Sequence, residues 1–317
     1  MKIITDFCQN HNGSFEILKK MIWEAAEGGA THGKIQTMFA DNLSFREKFE
    51  EGEFDSEGNI ITIKRPYNLE YDRLKKLELS YEQHAAFVNE CKNAGIIPLT
   101  STFNITSICK LKDLGWDSIK VASYDCGSLE MIKILAENFN ELIISTGATY
   151  DYEIENTANY LNNINKKFSL LHCVTIYPTP IEYMNLKRMD YLKNFTNSVG
   201  LSDHSLVLKD GIKASIAAIY LGADVIERHF TVLPENETKD GKISIRKEHI
   251  KELVYFSKLS DNKKLEYIKR NIPEFKTMLG TEKRELTKEE LLNRAYYRGR
   301  FCNKVNGVQK YNWENYL

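Results

Sequence analysis

Paired cysteines and long apolar stretches are both missing from the sequence. The six cysteines are scattered singly, without a Cys-x-x-Cys pair or short-domain spacing, which argues against a zinc knot or disulfide framework and favours reduced thiols. The N-terminus turns polar at Gln9–Asn12, before an apolar signal core is complete, and no later stretch is long enough to span a membrane. We therefore expect a cytoplasmic protein without a membrane partner.

An excess of charge of one sign is also absent. The chain has 43 Lys+Arg and 44 Asp+Glu, a net charge of -1, and no basic block dense enough to follow a phosphate backbone, which argues against a nucleic-acid partner. No Gly-x-Gly-x-x-Gly turn of the dinucleotide-binding kind follows the first predicted strand. With 42% hydrophobic and 27% charged residues among 317, the composition is typical of a globular protein with a sizeable core.

Short apolar runs alternate with longer amphipathic stretches along the chain, which predicts strands buried on both faces and joined by crossover helices. The predicted strands lie near Lys2–Phe7, Gly33–Thr37, Ile96–Ser101, Ser118–Ala122, Leu142–Ser145, Ser169–Cys173, Ser198–Leu201 and Asp224–Glu227. The helices between them include one predicted over Leu208–Leu221. Eight strand-then-helix units over about 260 residues indicate an α/β fold, a (β/α)8 TIM barrel with a short C-terminal extension.

The predicted barrel domain covers residues 1–262, and residues 263–317 form a helical linker and a short tail. The segment Met38–Ser80 is too long for an ordinary loop, so we interpret it as an excursion on the functional face, in which Asn59–Lys64 can form a small hairpin. The final segment, Tyr296–Leu317, is aromatic and basic. We interpret its arginines, Arg298 and Arg300, as a solvated basic tail.

Catalytic residues of such barrels lie where the strands end, and several polar residues occupy those positions here. Lys34 and Lys120, with nearby serines and threonines, form a cradle suited to a compact dianion such as a phosphate ester. Alternatively, each lysine only pairs with a neighbouring carboxylate. His204 and His229 on adjacent strands can present two imidazoles to one divalent ion, although a single histidine here is more often a satisfied core residue.

Seven short motifs occur along the chain in the order typical of one enzyme family. They are Asn10–Gly13, Gly33–Thr37, Ile119–Ser123, Ser145–Gly147, His172–Pro180, Gly200–His204 and Val225–Thr231. With these motifs the chain resembles the sialic acid (nonulosonic acid) synthases, which condense phosphoenolpyruvate with an N-acetylated sugar aldehyde. The family also carries a C-terminal antifreeze-like domain with an arginine that covers the partner's active site. The resemblance stops near the entry to that domain, so we expect this lid to be missing.

The resemblance assigns roles to residues by position. The residues that would hold phosphoenolpyruvate are Lys34, Lys120, Ser101, Ser123, Ser145, Thr175 and Ser202, with Ser101 where the family usually has Thr and Thr175 where it has Asn or Ser. His204 and His229 would bind Mn²⁺ or another divalent cation such as Mg²⁺. The residues that would line the sugar site are Tyr177, Gln36, Phe103 and Asp240. Asp6 replaces a family Glu that moves a proton.

The resemblance thus predicts a transferase that joins phosphoenolpyruvate to N-acetylmannosamine or a 2,4-diacetamido-2,4,6-trideoxyhexose and releases phosphate. Two other functions are compatible with the strand-end residues. One is an aldolase in which Lys34 or Lys120 forms a Schiff base, and the other is a non-catalytic barrel that binds a sugar acid. We expect a homodimer whose contact uses Met38–Ser80 or Tyr296–Leu317.

Overall fold

Eight parallel strands close into a barrel in the computed structural model of the chain, which describes residues 1–314. The strands are β1 (Lys2–Cys8), β2 (His32–Thr37), β3 (Ile97–Thr102), β4 (Ser118–Val121), β5 (Glu141–Ser145), β6 (Lys167–Cys173), β7 (Val199–Asp203) and β8 (Val225–His229). Each strand pairs with its neighbours in chain order, and β1 also pairs with β8. The predicted (β/α)8 barrel is confirmed, and each predicted strand overlaps an observed one.

A helix follows each strand and packs on the outside of the barrel. These crossover helices are Phe15–Gly28, Tyr81–Asn93, Ile108–Lys112, Leu129–Asn138, Asp151–Asn163, Arg188–Leu192, Lys213–Tyr220 and Lys247–Ser257. Further helices span Lys48–Glu51, Tyr67–Lys75, Val207–Asp210, Asp261–Asn271, Phe275–Leu279 and Lys288–Tyr297. Within residues 1–314, no helix is both long enough and apolar enough to cross a bilayer.

The prediction of one helix over Leu208–Leu221 is wrong. The chain forms two helices there, Val207–Asp210 and Lys213–Tyr220. Gly211 separates them with a φ of +56°, a left-handed conformation that glycine adopts without steric cost. The apolar periodicity continues across this break, so the periodicity alone predicts one helix.

Each barrel strand has an inner and an outer face. The inner face carries a layer of fully buried apolar side chains, Ile4, Leu99, Ile143, Leu171 and Val225. Because side chains alternate along a strand, the residue two positions further on also faces the interior. These next residues are Asp6, Ser101, Ser145, Cys173 and Glu227. The barrel therefore has an apolar floor beneath a polar layer at its carboxyl end.

The register of the strands sets which polar residues become neighbours. Asp6 on β1 pairs with Lys34 on β2 and with His229 on β8. The pairing of β1 with β2 is irregular between Asp6 and Cys8, which is a bulge at the mouth of the barrel. Residues from β1, β2 and β8 thus meet although the first and last of these strands are more than 200 positions apart in the chain.

The excursion after β2 and the C-terminal segment pack against each other. In the excursion, Asn59–Lys64 supplies only one strand of a hairpin, Ile60–Thr62, and Glu53–Phe54 is the other. The C-terminal segment contains the helix Lys288–Tyr297 and a second hairpin, Asn303–Val305 with Val308–Lys310. Apolar contacts join the two segments, with Phe301 buried among Met38, Ala40, Leu43 and Leu74.

The interpretation of Arg298 and Arg300 as a solvated tail is wrong. Arg300 is 7% exposed and pairs with Glu70 of the excursion. Arg298 Nη1 lies 2.7 Å from Glu153 Oε1. Both guanidinium groups are held because the folded chain supplies carboxylates that are distant in sequence. Asn315–Leu317, the end of the predicted tail, lie outside the described residues.

Candidate active site

Two lysines and two carboxylates meet inside the carboxyl end of the barrel. Lys34 Nζ lies 2.7 Å from Asp6 Oδ2 and 3.0 Å from Glu227 Oε1, and Lys120 Nζ lies 3.7 Å from Glu227 Oε2. All four residues are buried. Glu227 therefore bridges the two ammonium groups, and the four charges balance within the barrel.

The two lysines differ in electrostatic environment. Burial acts to lower the pKa of Lys34, but Asp6 and Glu227 outweigh it and raise that pKa above its ordinary value. Burial lowers the pKa of Lys120, and Glu227 opposes this only in part. For Glu227 itself, burial acts to raise the pKa, but Lys120 and Lys34 outweigh it and lower the pKa. Lys34 is thus fully compensated, whereas Lys120 is a cation that a bound anion would stabilise.

The sequence-based alternative, in which the lysines pair with carboxylates, describes what the structure shows for Lys34. The two lysines also converge, since both lie beside Glu227, and the predicted cradle requires this arrangement. Glu227 is not one of the predicted site residues, although its carboxylate pairs with both lysines. The available signal was its place on β8, two residues before His229 and therefore on the same face of the strand.

Buried hydroxyl groups surround the lysines. Lys120 Nζ donates a 2.7 Å hydrogen bond to Ser145 Oγ, and Lys34 Nζ lies 3.5 Å from Ser101 Oγ. Ser202 on β7 pairs in register with Glu227 on β8. The lysine and serine side chains of β2, β3, β4, β5 and β7 therefore converge at one level of the barrel, as predicted.

Gly147 shapes the side of this cradle that adjoins β6. Its backbone N–H donates a 3.1 Å hydrogen bond to Ser123 Oγ. A Cβ at position 147 would lie 2.6 Å from Thr175 Cγ2 and 3.0 Å from Cys173 Sγ, closer than carbon and sulfur atoms approach. Only glycine permits this close approach, which brings Ser123 and Thr175 together beside Gly147.

The two predicted metal ligands, His204 and His229, are neighbours at the ends of β7 and β8. Their ring centroids are 5.1 Å apart, with the rings nearly perpendicular. Burial, and the neighbouring His229, lower the pKa of His204 well below its ordinary value, which keeps its ring neutral and able to bind a metal. His229 Nε2 lies 3.8 Å from Asp6 Oδ2, and its Nδ1 lies 3.7 Å from Asp240 Oδ2.

A second residue that sequence reasoning missed adjoins His229. Among residues 1–314, the group of metal-ligand side chains whose donor atoms all lie within 4.8 Å of one another is Cys8, His229 and Asp240, without His204. The Cys8 Sγ is 3.3 Å from Asp240 Oδ2, and burial together with Asp240 raises the pKa of the thiol well above its ordinary value. His229 Nδ1 is buried without a hydrogen-bond partner. These donors fit a divalent cation.

A fully buried ion pair holds the strand ends that carry the histidines. Arg228 Nη1 lies 2.5 Å from Asp203 Oδ2, and both side chains are completely buried. The backbone N–H of Ser205 and the hydroxyl of Ser215 also bond to the Asp203 carboxylate, at 2.9 and 2.5 Å. Because Asp203 precedes His204 and Arg228 precedes His229, the pair fixes the spacing of β7 and β8 at the histidines.

The four predicted sugar-site residues are distributed around the mouth. Tyr177 is 45% exposed, and its ring centroid lies 4.3 Å from that of His204. Asp240 contacts His229 and Cys8, as described above. Gln36 is half-buried and pairs in register with Ser101. Phe103 is instead packed against Phe301 of the C-terminal segment, with ring centroids 5.3 Å apart. The structure thus brings Tyr177 and Asp240 to the histidines and places Phe103 beneath the C-terminal segment.

Known proteins are similar to this chain in both sequence and architecture. Residues 21–264 match the NeuB family. The N,N'-diacetyllegionaminic acid synthase of Campylobacter jejuni is 34% identical over 264 residues, 79% of this chain and 73% of that protein. The pseudaminic acid synthase of C. jejuni strain 81-176 is 31% identical over 304 residues, 95% of this chain and 81% of that protein. The crystal structure of N-acetylneuraminic acid synthetase from Leptospira borgpetersenii in complex with citrate superposes with a TM-score of 0.68 at 26% identity, covering 93% of this chain and 90% of that one.

Proposed function

Because the chain belongs to the NeuB family, we propose that it condenses phosphoenolpyruvate with an N-acetylated aldose to give a nine-carbon sialic-acid-type sugar. Relatives that are named as synthases of legionaminic and pseudaminic acids support a transferase that forms a carbon–carbon bond. The observation that carries the proposal is the cradle of Lys34, Lys120 and buried hydroxyls at the carboxyl end of the barrel. Active sites of such barrels lie at this end.

Phosphoenolpyruvate is assigned to the cradle because it carries both a phosphate and a carboxylate. Lys120 is the cation left least compensated by protein carboxylates, so it receives one of these anionic groups. The hydroxyls that complete the site are Ser101, Ser123, Ser145, Thr175 and Ser202. Lys34, already paired with Asp6 and Glu227, contributes positive potential and fixes the position of both carboxylates. Aimed donors of this kind also stabilise the charge of the departing phosphate.

The reaction balances with water as the third reactant. The C3 atom of phosphoenolpyruvate attacks the aldehyde carbon, and positive charge develops at C2. Water then adds at C2, and the tetrahedral carbon releases inorganic phosphate as its bond to the bridging oxygen breaks. Asp6 takes one proton from this water, and the former aldehyde oxygen gains one. The second proton of the water leaves when its oxygen becomes the C2 carbonyl, and the departing phosphate takes it, so the protons balance. The carboxylate of Asp6 lies at the pairing level of Lys34 and His229, between the cradle and the histidines.

A divalent cation, Mn²⁺ or a similar ion such as Mg²⁺, would be held at the histidines. The support is the donor set at this point, with the buried and unpartnered His229 Nδ1 facing Asp240 and with neutral His204 alongside. Such an ion, when bound, acts as a Lewis acid on the aldehyde oxygen. Tyr177, exposed beside His204, would orient the open-chain sugar, with Asp240, Gln36 and Phe103 as further contacts.

An ordinary Schiff-base aldolase is the second candidate, because burial lowers the pKa of Lys120 and makes its amine more nucleophilic. Lys120 Nζ is, however, engaged by Val121 O at 2.8 Å as well as by Ser145 Oγ. Borohydride reduction with pyruvate distinguishes the two functions, since only the aldolase would be trapped as a stable pyruvyl-lysine adduct.

The test is release of inorganic phosphate from phosphoenolpyruvate in the presence of a divalent cation and one of three aldoses. The aldoses are N-acetylmannosamine and the two 2,4-diacetamido-2,4,6-trideoxyhexoses. We expect aldose-dependent phosphate release with one of them, and none when pyruvate replaces phosphoenolpyruvate. Condensation with pyruvate, or no release with all three aldoses, would contradict the proposal. A non-catalytic barrel would bind a sugar acid and release no phosphate.

A homodimer that uses the excursion Met38–Ser80 is supported by apolar side chains on its surface. The exposed large residues of this segment are Phe45, Phe54, Ile60, Ile61 and Leu69. Several large apolar side chains exposed on one segment are a feature of protein contact surfaces. Analytical ultracentrifugation at micromolar concentration should show a dimer that Phe54→Glu weakens, and a monomeric parent protein would contradict the proposal.

A further inference from the structure

Cys8 contributes a sulfur atom to the cluster beside His229. Its Sγ, a ring nitrogen of His229 and a carboxylate oxygen of Asp240 all lie within 4.8 Å of one another. The three residues come from the end of β1, the end of β8 and the segment after β8. The cluster is closed off from solvent on the β1 side, because Cys8 is only 1% exposed.

The backbone conformation of Cys8 is an independent indication that its side chain is functional. Cys8 has a φ of +40°, in the left-handed region that glycine adopts easily and that other residues adopt only at a steric cost. The bulge after Asp6 and a 2.9 Å hydrogen bond from Cys8 N to Asp6 Oδ1 maintain this conformation. The strained turn holds the thiol 3.3 Å from Asp240 Oδ2. A glycine would relieve the strain and would remove the sulfur.

The imidazole of His229 is oriented towards the same point. Its Nδ1 faces Asp240 and is buried without a hydrogen-bond partner, while its Nε2 faces Asp6. A carboxylate beside the second ring nitrogen is the usual companion of a metal-binding histidine. The free Nδ1, the Asp240 oxygen and the Cys8 sulfur therefore surround one position.

We propose that Cys8 and Asp240 join His229 as protein ligands of the divalent ion, so that the metal site has a sulfur donor. This inference rests on the proposed function for the role of the ion. It adds two ligands to the site, and it revises the identity of the ion named there. On binding, the Cys8 S–H bond breaks, a sulfur–metal bond forms and the proton leaves to solvent. Thiolate ligands favour Zn²⁺, Co²⁺ or Fe²⁺ over the harder ions Mn²⁺ and Mg²⁺. His204, with its ring centroid 5.1 Å from that of His229, is the next nearest imidazole.

The experiment uses Co²⁺ as a spectroscopic probe in the full chain after chelator treatment. A thiolate bound to Co²⁺ gives an intense near-ultraviolet charge-transfer absorption that imidazole and carboxylate ligands do not give. We expect this band in the parent protein, and its loss in Cys8→Ser together with a weakening of Co²⁺ and Zn²⁺ binding by about tenfold or more. The same substitution should weaken Mn²⁺ binding far less.

Cys173→Ser is the matched control. Cys173 is also buried near the histidines, with its Sγ 3.8 Å from His204 Nδ1, but it is not part of the cluster. This variant should keep the charge-transfer band. A parent spectrum without the band, a band that persists in Cys8→Ser, or a band lost in Cys173→Ser would each overturn the proposal.

Further measurements distinguish an error in the proposed ligands from misfolding of the variant and from an error in the proposed function. Thermal unfolding without metal should show that Cys8→Ser remains folded, and Asp240→Asn, which leaves the Cys8 backbone unchanged, should independently weaken Co²⁺ binding. If the band is present but no aldose supports phosphate release, the ligand set stands and the proposed function is wrong. If phosphate release occurs and the band is absent, the function stands and the sulfur ligand is wrong.

Discussion

Among residues 1–314, Glu227 is the carboxylate that pairs with both buried lysines of the barrel mouth, so Glu227→Gln tests the charge balance of the barrel interior. Glutamine has nearly the same shape, and its amide oxygen can still accept a hydrogen bond from Lys34. The substitution removes a negative charge 3.0 Å from Lys34 Nζ and 3.7 Å from Lys120 Nζ. Two buried ammonium groups are then left with Asp6 as the remaining carboxylate of the cluster.

The size of the effect follows from the burial of the three groups. Removing one partner of a buried ion pair costs about 3–5 kcal/mol, because an uncompensated charge stays in the interior. The retained amide oxygen favours the lower end of this range, about 3 kcal/mol. A change of 1 kcal/mol shifts the melting temperature of a 150–250-residue protein by about 2–4 °C, so about 3 kcal/mol corresponds to roughly 6–12 °C. We expect a decrease near the lower end of this range, because the shift is smaller for a longer chain and this one has 317 residues.

The substitution should also change the response to anions. The variant's cradle has one more net positive charge, so phosphoenolpyruvate or inorganic phosphate compensates charges that the protein no longer balances. Thermal unfolding with and without either anion should therefore show a larger stabilisation of Glu227→Gln than of the parent, although the variant is the less stable protein without ligand.

Glu141→Gln is the matched control for this experiment. Glu141 is a buried carboxylate on β5 that also pairs with two lysines, Lys2 and Lys167. Those lysines are partly or largely exposed, so their ammonium groups can turn to water, and the expected cost is about 1 kcal/mol or less. Equal melting temperatures for Glu227→Gln and the parent, or equal stabilisation of both by anions, would refute the reasoning.

Three other predictions address the cradle, the strand ends and the C-terminal segment. Lys120→Met should lower kcat/KM for phosphate release by about a hundredfold or more with the fold intact; unchanged release would remove Lys120 from the site. Asp203→Asn should cost about 3–5 kcal/mol in urea unfolding because its guanidinium partner stays buried, and a neutral result would contradict this. Burial acts to raise the pKa of Glu70, but Arg73 and Arg300 outweigh it and lower the pKa to about 2. The stabilisation by ionised Glu70 is present above about pH 4.5 and is lost as the pH falls towards 2. Glu70→Gln should therefore make the free energy of unfolding less dependent on pH between about 4.5 and 2. An unchanged pH dependence in the variant would exclude a stabilising contribution of the Glu70 carboxylate.

The barrel could be predicted from the sequence because its signal is local. Eight apolar runs and the amphipathic stretches between them are each readable within a short window. The break at Gly211 was missed because the apolar periodicity continues through it. The hairpin in the excursion was placed only in part, since Glu53–Phe54 has too few residues to show a pattern.

The site was predictable only where position on a strand decides the contact. The strand ends correctly indicated that Lys34, Lys120 and the two histidines meet at the barrel mouth. The contacts of Glu227 and Cys8 cannot be predicted from local sequence, because they form only when closure of the barrel brings β8 beside β1. The burial of Arg300 depends on Glu70, 230 residues earlier in the chain, and no local pattern records such a contact.

The central claim is that phosphoenolpyruvate loses phosphate by cleavage of its C2–O bond at the cradle of Lys34 and Lys120. The most direct measurement uses phosphoenolpyruvate labelled with ¹⁸O at the bridging oxygen, together with the aldose that supports turnover. Water supplies the new oxygen at C2 in the proposed reaction, so the released inorganic phosphate should carry the ¹⁸O label, as mass spectrometry would show. Unlabelled phosphate, or a nine-carbon product formed from pyruvate without phosphate release, would contradict the account.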